Sequence, residues 1–72
     1  MDWQTIRTEE KREGIQVLTL SRPEVKNALS IRMRREISEA LARFREDPKV
    51  RCVVVTGAGD VFCAGFDLKE FG

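Results

Sequence analysis

The sequence has no histidine. The usual base for activating a serine or cysteine nucleophile is therefore missing, which argues against a thiol-protease reading of either cysteine. Two cysteines in 72 residues do not make a disulfide scaffold. Cys52 opens an apolar run and is expected to serve as a small core hydrophobe, while Cys63 falls in a loop. An excess of one charge is also missing. Thirteen Lys and Arg stand against twelve Asp and Glu, a formal net charge of +1, so no field favours nucleic acid or an anionic membrane as partner. No apolar run approaches the roughly 20 residues of a membrane span. Met1-Asp2-Trp3-Gln4 carries neither the basic nor the apolar region of a secretory signal, so cytoplasmic location is the expectation. The nucleotide motifs fail too. Gly57-Ala58-Gly59 would need a third glycine where Phe62 stands, and no Gly-Lys-Ser/Thr follows it.

What is present is a chain of globular type, 42% hydrophobic and 35% charged, and not a disordered one. Its size is the tighter limit. A chain this short buries only about 60% of its unfolded surface, and neither disulfides nor a metal motif compensate. The sequence ends at Phe71-Gly72, just inside a proposed helix and without a stop signal. The expectation is a fragment, or the ordered part of something larger.

The segments follow in a clear order. Trp3 to Thr8 and the stronger Ile15 to Leu20 read as two strands of an antiparallel hairpin. The polar Glu9 to Gly14 reads as its solvated, charged tip. Ser21 to Leu29 is an ordered loop, in which Pro23 fixes its own φ and disfavours helix at Arg22. A helix begins at Ser30, a good N-cap, and ends near Asp47 before Pro48. Met33, Ile37, Ala40, Leu41 and Phe44 recur at helical spacing, predicting burial of Ile37, Leu41 and Phe44. Arg32, Arg35, Glu36, Glu39 and Arg43 fall on the other faces, with Arg35 and Glu39 exposed. Glu39 and Arg43 are ordered for an i,i+4 pair worth a few tenths of a kcal/mol. The next strand, about residues 50–56, includes Val53-Val54-Val55, a short apolar run expected to be covered on both faces. Strand, strand, helix and strand make an α/β fold, with the last two strands joined by a right-handed crossover.

Chemistry is expected where that last strand ends. Gly57 and Gly59 free the backbone there. Gly65 precedes Phe66-Asp67-Leu68-Lys69-Glu70, a plausible first helical turn. The first amides of a helix have no partner inside it and lie at its positive end. The amide of Phe66 is thus a candidate donor to an oxygen gaining negative charge. The plainer reading, in which the glycines only turn the chain, stays open on this evidence. For Asp67 and Glu70 the plainer reading is helix capping or surface charge.

Two stretches resemble the signatures of the enoyl-CoA hydratase/isomerase (crotonase) superfamily. The first is Leu18-Thr19-Leu20-Ser21-Arg22-Pro23 with Asn27-Ala28-Leu29-Ser30. The second is Val53-Val54-Val55-Thr56-Gly57-Ala58-Gly59 followed by Phe62-Cys63-Ala64-Gly65-Phe66-Asp67-Leu68. One amphipathic helix fills the space between them, and the resemblance covers nearly the whole chain. It implies the N-terminal ββα part of a crotonase-type (ClpP/crotonase-like) spiral, occupying residues 1–72, and assembly as trimers or hexamers in the full-length form. It implies an acyl-CoA thioester as substrate, with coenzyme A part of that substrate and no separate cofactor or metal. In the family two backbone amides hold the thioester oxygen as it becomes an enolate, and Phe66 matches the first of them. Ala64, Gly65, Phe66, Asp67, Leu68 and Lys69 match the wall around the pantetheine and adenine, and Lys26 and Ala28 match the loop along the coenzyme. Many members have Ala where Phe66 stands, and its ring would narrow the acyl pocket. The second oxyanion amide and the acid/base glutamates of the family lie beyond the matched stretches. The isolated chain is therefore expected to be inactive as an enzyme. The alternative to an enzyme segment is a non-catalytic coenzyme A-binding or assembly module on the same framework. Extending the reading frame discriminates the two: a second glycine-bearing turn and a pocket carboxylate mark the enzyme, and an immediate stop marks the module.

Overall fold

The computed structural model of the chain describes residues 3–63 and 65. Three strands and two helical segments follow one another: β1 (Ile6–Arg12), β2 (Ile15–Leu20), a single 3-10 turn (Pro23–Val25), α1 (Ile31–Glu46) and β3 (Cys52–Gly57). The sheet order is β1-β2-β3. β1 and β2 pair antiparallel with Ile6 opposite Leu20 and Thr8 opposite Leu18. β2 and β3 pair parallel, from Ile15 opposite Cys52 to Leu20 opposite Gly57. Parallel neighbours need a crossover between them, and α1 supplies it.

The hairpin differs from its expected outline. β1 starts three residues later than Trp3 and continues through Glu9, Glu10 and Lys11 to Arg12, so the charged stretch is paired strand and only Glu13 and Gly14 turn the chain. The β-branched and apolar residues of β2 provide the template, and backbone pairing is indifferent to the solvated side chains opposite. The register slips between Glu10 and Arg12, a bulge next to the turn.

α1 agrees with its predicted limits. The Ser30 hydroxyl accepts from the Met33 amide at 3.0 Å, and Asp47 closes the other end with its amide donating to the Phe44 carbonyl at 3.2 Å. The buried face is the expected one with two departures, Glu36 inside and Leu41 outside. Met33, Glu36 and Ala40 are buried, Ile37 and Phe44 are half-buried, Arg35 and Glu39 are exposed as expected, and Leu41 is 42% exposed. Ile6, Leu18, Leu20, Met33 and Ala40 form the core, with Trp3, Leu29, Ile37, Phe44, Val53 and Cys63 packed around it. Glu36 joins the buried face because it stands three residues after Met33 and four before Ala40, on the same side of the helix.

Glu36 sits in that buried face and not on the solvated side. Its carboxylate accepts from the Thr5 hydroxyl at 2.6 Å, the Thr5 amide at 2.8 Å and the Gln4 amide at 3.0 Å. Arg32 lies 3.7 Å away. The i,i+4 ion pair found on α1 among the described residues is this one, and not Glu39–Arg43. Burial alone would raise the pKa of Glu36; the Thr5 hydroxyl, the two amides and Arg32 outweigh it and hold the carboxyl below its usual range.

β3 is also corrected. Val53 packs on the core, but Val54 and Val55 are 46% and 43% exposed and Cys52 is exposed. Cys52 is therefore no core residue. β3 is the last strand in the sheet order, and α1 covers only part of its one face. None of the described helices is long and apolar enough to cross a membrane.

Candidate functional site

Two loops meet at one end of the sheet, the one after β2 (residues 21–29) and the one after β3 (residues 58–65). Both follow the C-terminal ends of parallel strands, where open α/β sheets place their ligand sites.

The first loop is tightly closed on itself. The Val25, Lys26 and Asn27 amides donate to carbonyls of Arg22, Pro23 and Arg22, at 3.0, 3.1 and 2.8 Å. The Arg22 amide in turn donates to Asn27 Oδ1 at 2.8 Å, and the Arg22 guanidinium donates to the Ala28 carbonyl at 2.6 Å. Closing so short a loop puts Lys26 and Asn27 in the left-handed region, with φ of 54° and 57°. That conformation is uncommon for a residue with a side chain, though Asn tolerates it through local hydrogen bonding. Lys26 is exposed at the loop apex, Ala28 is half-buried, and Asn27 is wholly buried.

The second loop is fastened to the first. Asn27 Nδ2 donates to the carbonyls of Ala58 and Val61, at 2.9 and 2.6 Å. The Leu29 amide donates to the Gly65 carbonyl at 2.7 Å. Gly57 makes this approach possible: a Cβ there would stand 2.5 Å from the Phe62 carbonyl oxygen and 2.8 Å from Asn27 Nδ2. Gly65 has φ of +106°, with its amide directed at Cys63 Sγ, 3.4 Å away. A Cβ on Gly65 would meet no described atom within 4 Å. Glycine is thus required at 65 by backbone conformation and not by crowding from the described residues.

Of the predicted set, Lys26 and Ala28 lie on the first loop and Gly65 on the second, joined where the Leu29 amide meets the Gly65 carbonyl. Ala64, Phe66, Asp67, Leu68 and Lys69, with the helix start they belong to and Glu70, lie outside the described residues. Asn27 was visible in the sequence only as part of a signature. Its role as the tie between the loops depends on two carbonyls more than 30 residues away, which no local pattern encodes. No group of three or more potential metal ligands occurs among the described residues.

A mixed sheet with a helical crossover, carrying a glycine loop clasped to the preceding β2–α1 loop, is the opening piece of a crotonase-type α/β fold. The solved enoyl-CoA hydratase/isomerase of Mycobacterium paratuberculosis superposes on it with a TM-score of 0.92 at 38% identity, over 99% of this chain and 26% of that one. The family model for enoyl-CoA hydratase/isomerase matches residues 10–72. The chain belongs to the enoyl-CoA hydratase/isomerase family. It is similar to a probable enoyl-CoA hydratase of Rhodobacter capsulatus, 50% identical over 97% of this chain and 26% of the relative. It is similar also to the hydroxycinnamoyl-CoA hydratase-lyase of Pseudomonas fluorescens, 41% identical over 96% of this chain and 25% of the relative. The chain spans about a quarter of the length of these relatives.

Proposed function

We propose that this chain forms one wall of an acyl-CoA site and supplies one backbone donor to the thioester oxygen in a reaction of hydratase or isomerase type. The observation that carries this reading is the family match over residues 10–72 together with the positive-φ, glycine-dependent backbone at Gly65, fastened through its carbonyl to Leu29. A thioester carbonyl gains negative charge on oxygen when a proton leaves the adjacent carbon or water adds to the conjugated double bond. A fixed amide aimed at that oxygen is stronger toward the enolate than toward the ground state, and losing such a donor costs on the order of 3 kcal/mol. Phe66 is the proposed donor, through its backbone. Its ring narrows the acyl pocket. Lys26 sets a cation at the exposed edge of the site, suited to the phosphates of coenzyme A. Ala28, Ala64, Gly65, Asp67, Leu68 and Lys69 complete the wall. Coenzyme A enters as part of the substrate, the reaction takes place in the cytoplasm, and the working form is a homo-trimer or hexamer that brings the second oxyanion donor and the acid/base groups.

The test compares Gly65→Val with Phe66→Ala in the protein as expressed from its gene, by kcat/KM on an acyl-CoA and a thermal melt of each. Gly65→Val is expected to lower turnover far more than stability, because a branched side chain resists the φ that turns the following amide. Phe66→Ala keeps the donor and is expected to act mainly on acyl-chain preference. Loss of activity in Phe66→Ala with activity spared in Gly65→Val would mean that the ring, and not the backbone amide, makes the site.

A further inference from the structure

We propose that Asn27 is a positioning residue whose side chain sets the loop leading to Gly65, and through it the acyl-CoA site; the inference rests on the function proposed above. The residue type follows from the geometry. Two carbonyl oxygens, those of Ala58 and Val61, converge on one buried point, and without a donor between them they would repel each other and lie unpaired. Asn27 Nδ2 has two protons and meets both, at 2.9 and 2.6 Å. Its Oδ1 takes the one donor on the other side, the Arg22 amide at 2.8 Å. The side chain is fully enclosed, with 0% exposure. Two donors and an acceptor in a short chain that also tolerates a φ of 57° describe asparagine and no other residue. Aspartate has the shape but only acceptors, serine has one donor, and glycine has the φ but no side chain.

The position of the tie is what links it to the site. Two residues after Asn27, the Leu29 amide holds the Gly65 carbonyl at 2.7 Å. Asn27 and Leu29 thus grip the second loop at 58, 61 and 65. The Ala58 amide still donates to the Leu20 carbonyl at 2.8 Å, so removing the Asn27 ties frees the carbonyls of Ala58 and Val61 and loosens the stretch from 59 to Gly65, whose carbonyl keeps the Leu29 amide. A donor displaced by about 1 Å from the reacting oxygen costs on the order of 10²-fold in rate. A substrate bound over a large surface feels the same displacement much less.

Asn27→Asp in the protein as expressed from its gene keeps the shape and the Arg22 contact, and turns a double donor into a negative oxygen facing two carbonyls. The expected result is a kcat lower by on the order of 10²-fold per folded molecule, with KM changed far less, and faster hydrogen exchange at the Leu29 amide. Asn27→Gly removes the side chain while keeping the backbone relaxed, and is expected to shift kcat and exchange the same way. A purely structural role would lower the melting temperature and leave kcat of the folded fraction intact, and that result overturns the proposal. Should both variants fail to fold, the parent protein still decides the tie: the Asn27 side-chain amide protons are expected to exchange slowly with water, and exchange as fast as in a solvated asparagine overturns it. A parent that neither binds nor turns over acyl-CoA overturns the function proposed above and the site role of Asn27 with it, while the exchange measurements still report on the loop tie.

Discussion

A methyl group on Gly57 would stand 2.5 Å from the Phe62 carbonyl oxygen, 2.7 Å from Phe62 Cα and 2.8 Å from Asn27 Nδ2. Backbone and a buried, fully engaged amide surround it, so nothing nearby yields cheaply. Gly57→Ala is expected to destabilise by roughly 1–3 kcal/mol, the ordinary range for overpacking, read as a lower Tm. It should also loosen the second loop, seen as faster exchange at the Leu29 amide. An unchanged melt would mean that the approach of the loop to β3 is looser than the geometry states. Gly65 is the contrasting case. Its surroundings among the described residues are open and its φ is +106°, so its substitutions act through backbone conformation. Both glycines are visible in the sequence as turn residues. Which one is crowded and which one is held at positive φ is not, because that depends on chain brought in from 27 and 62 and on the path of the backbone.

Among the elements, α1 carries the clearest titration. Glu36 anchors the helix to residues 4 and 5, just before β1, through the Thr5 hydroxyl and the amides of Gln4 and Thr5. Its pKa is lowered in the folded state. The unfolded chain therefore binds this proton more readily than the folded one. The stabilisation is complete above the usual glutamate pKa and is lost as pH falls through the lower folded value. Glu36→Gln is expected to reduce stability at neutral pH by about 1–3 kcal/mol, since its amide nitrogen faces donors where the carboxylate accepted. It should also flatten the fall of Tm on acidification. Equal acid sensitivity in both proteins would show that another carboxylate controls it. The helical limits, from the Ser30 cap to Pro48, were legible because capping and proline act locally. The buried face was legible only in part. Periodicity marked Met33, Ile37, Ala40, Leu41 and Phe44; four of these lie in the core or pack on it, while Leu41 is 42% exposed and the charged Glu36 is buried, which spacing alone does not decide.

At the scale of the whole molecule, Val54, Val55, Leu41, Ile31 and Phe62 are exposed large hydrophobics on a chain that spans about a quarter of its relatives. The 72 residues by themselves hold one proposed oxyanion donor. They are expected to show no turnover of crotonyl-CoA. Turnover at an ordinary enzymatic rate, on the order of 1–1000 per second, would mean that Asp67 or Glu70 does chemistry, against the capping reading given to both.

Local rules were enough for the order of elements, the helix caps, the parallel crossover and the family signatures, because each depends on residues near one another in the chain. Residue spacing also located the turn at Gly65. The burial of Glu36, the exposure of Val54 and Val55, and the meeting of Asn27 with the carbonyls of Ala58 and Val61 came from the folded arrangement. A carboxylate is tolerable inside once three donors converge on it, and a valine run is covered only where a partner reaches it. Asparagine becomes a tie only when two distant carbonyls arrive beside it. Each of these depends on atoms that folding brings together across 30 or so residues, a distance at which sequence spacing no longer specifies contact.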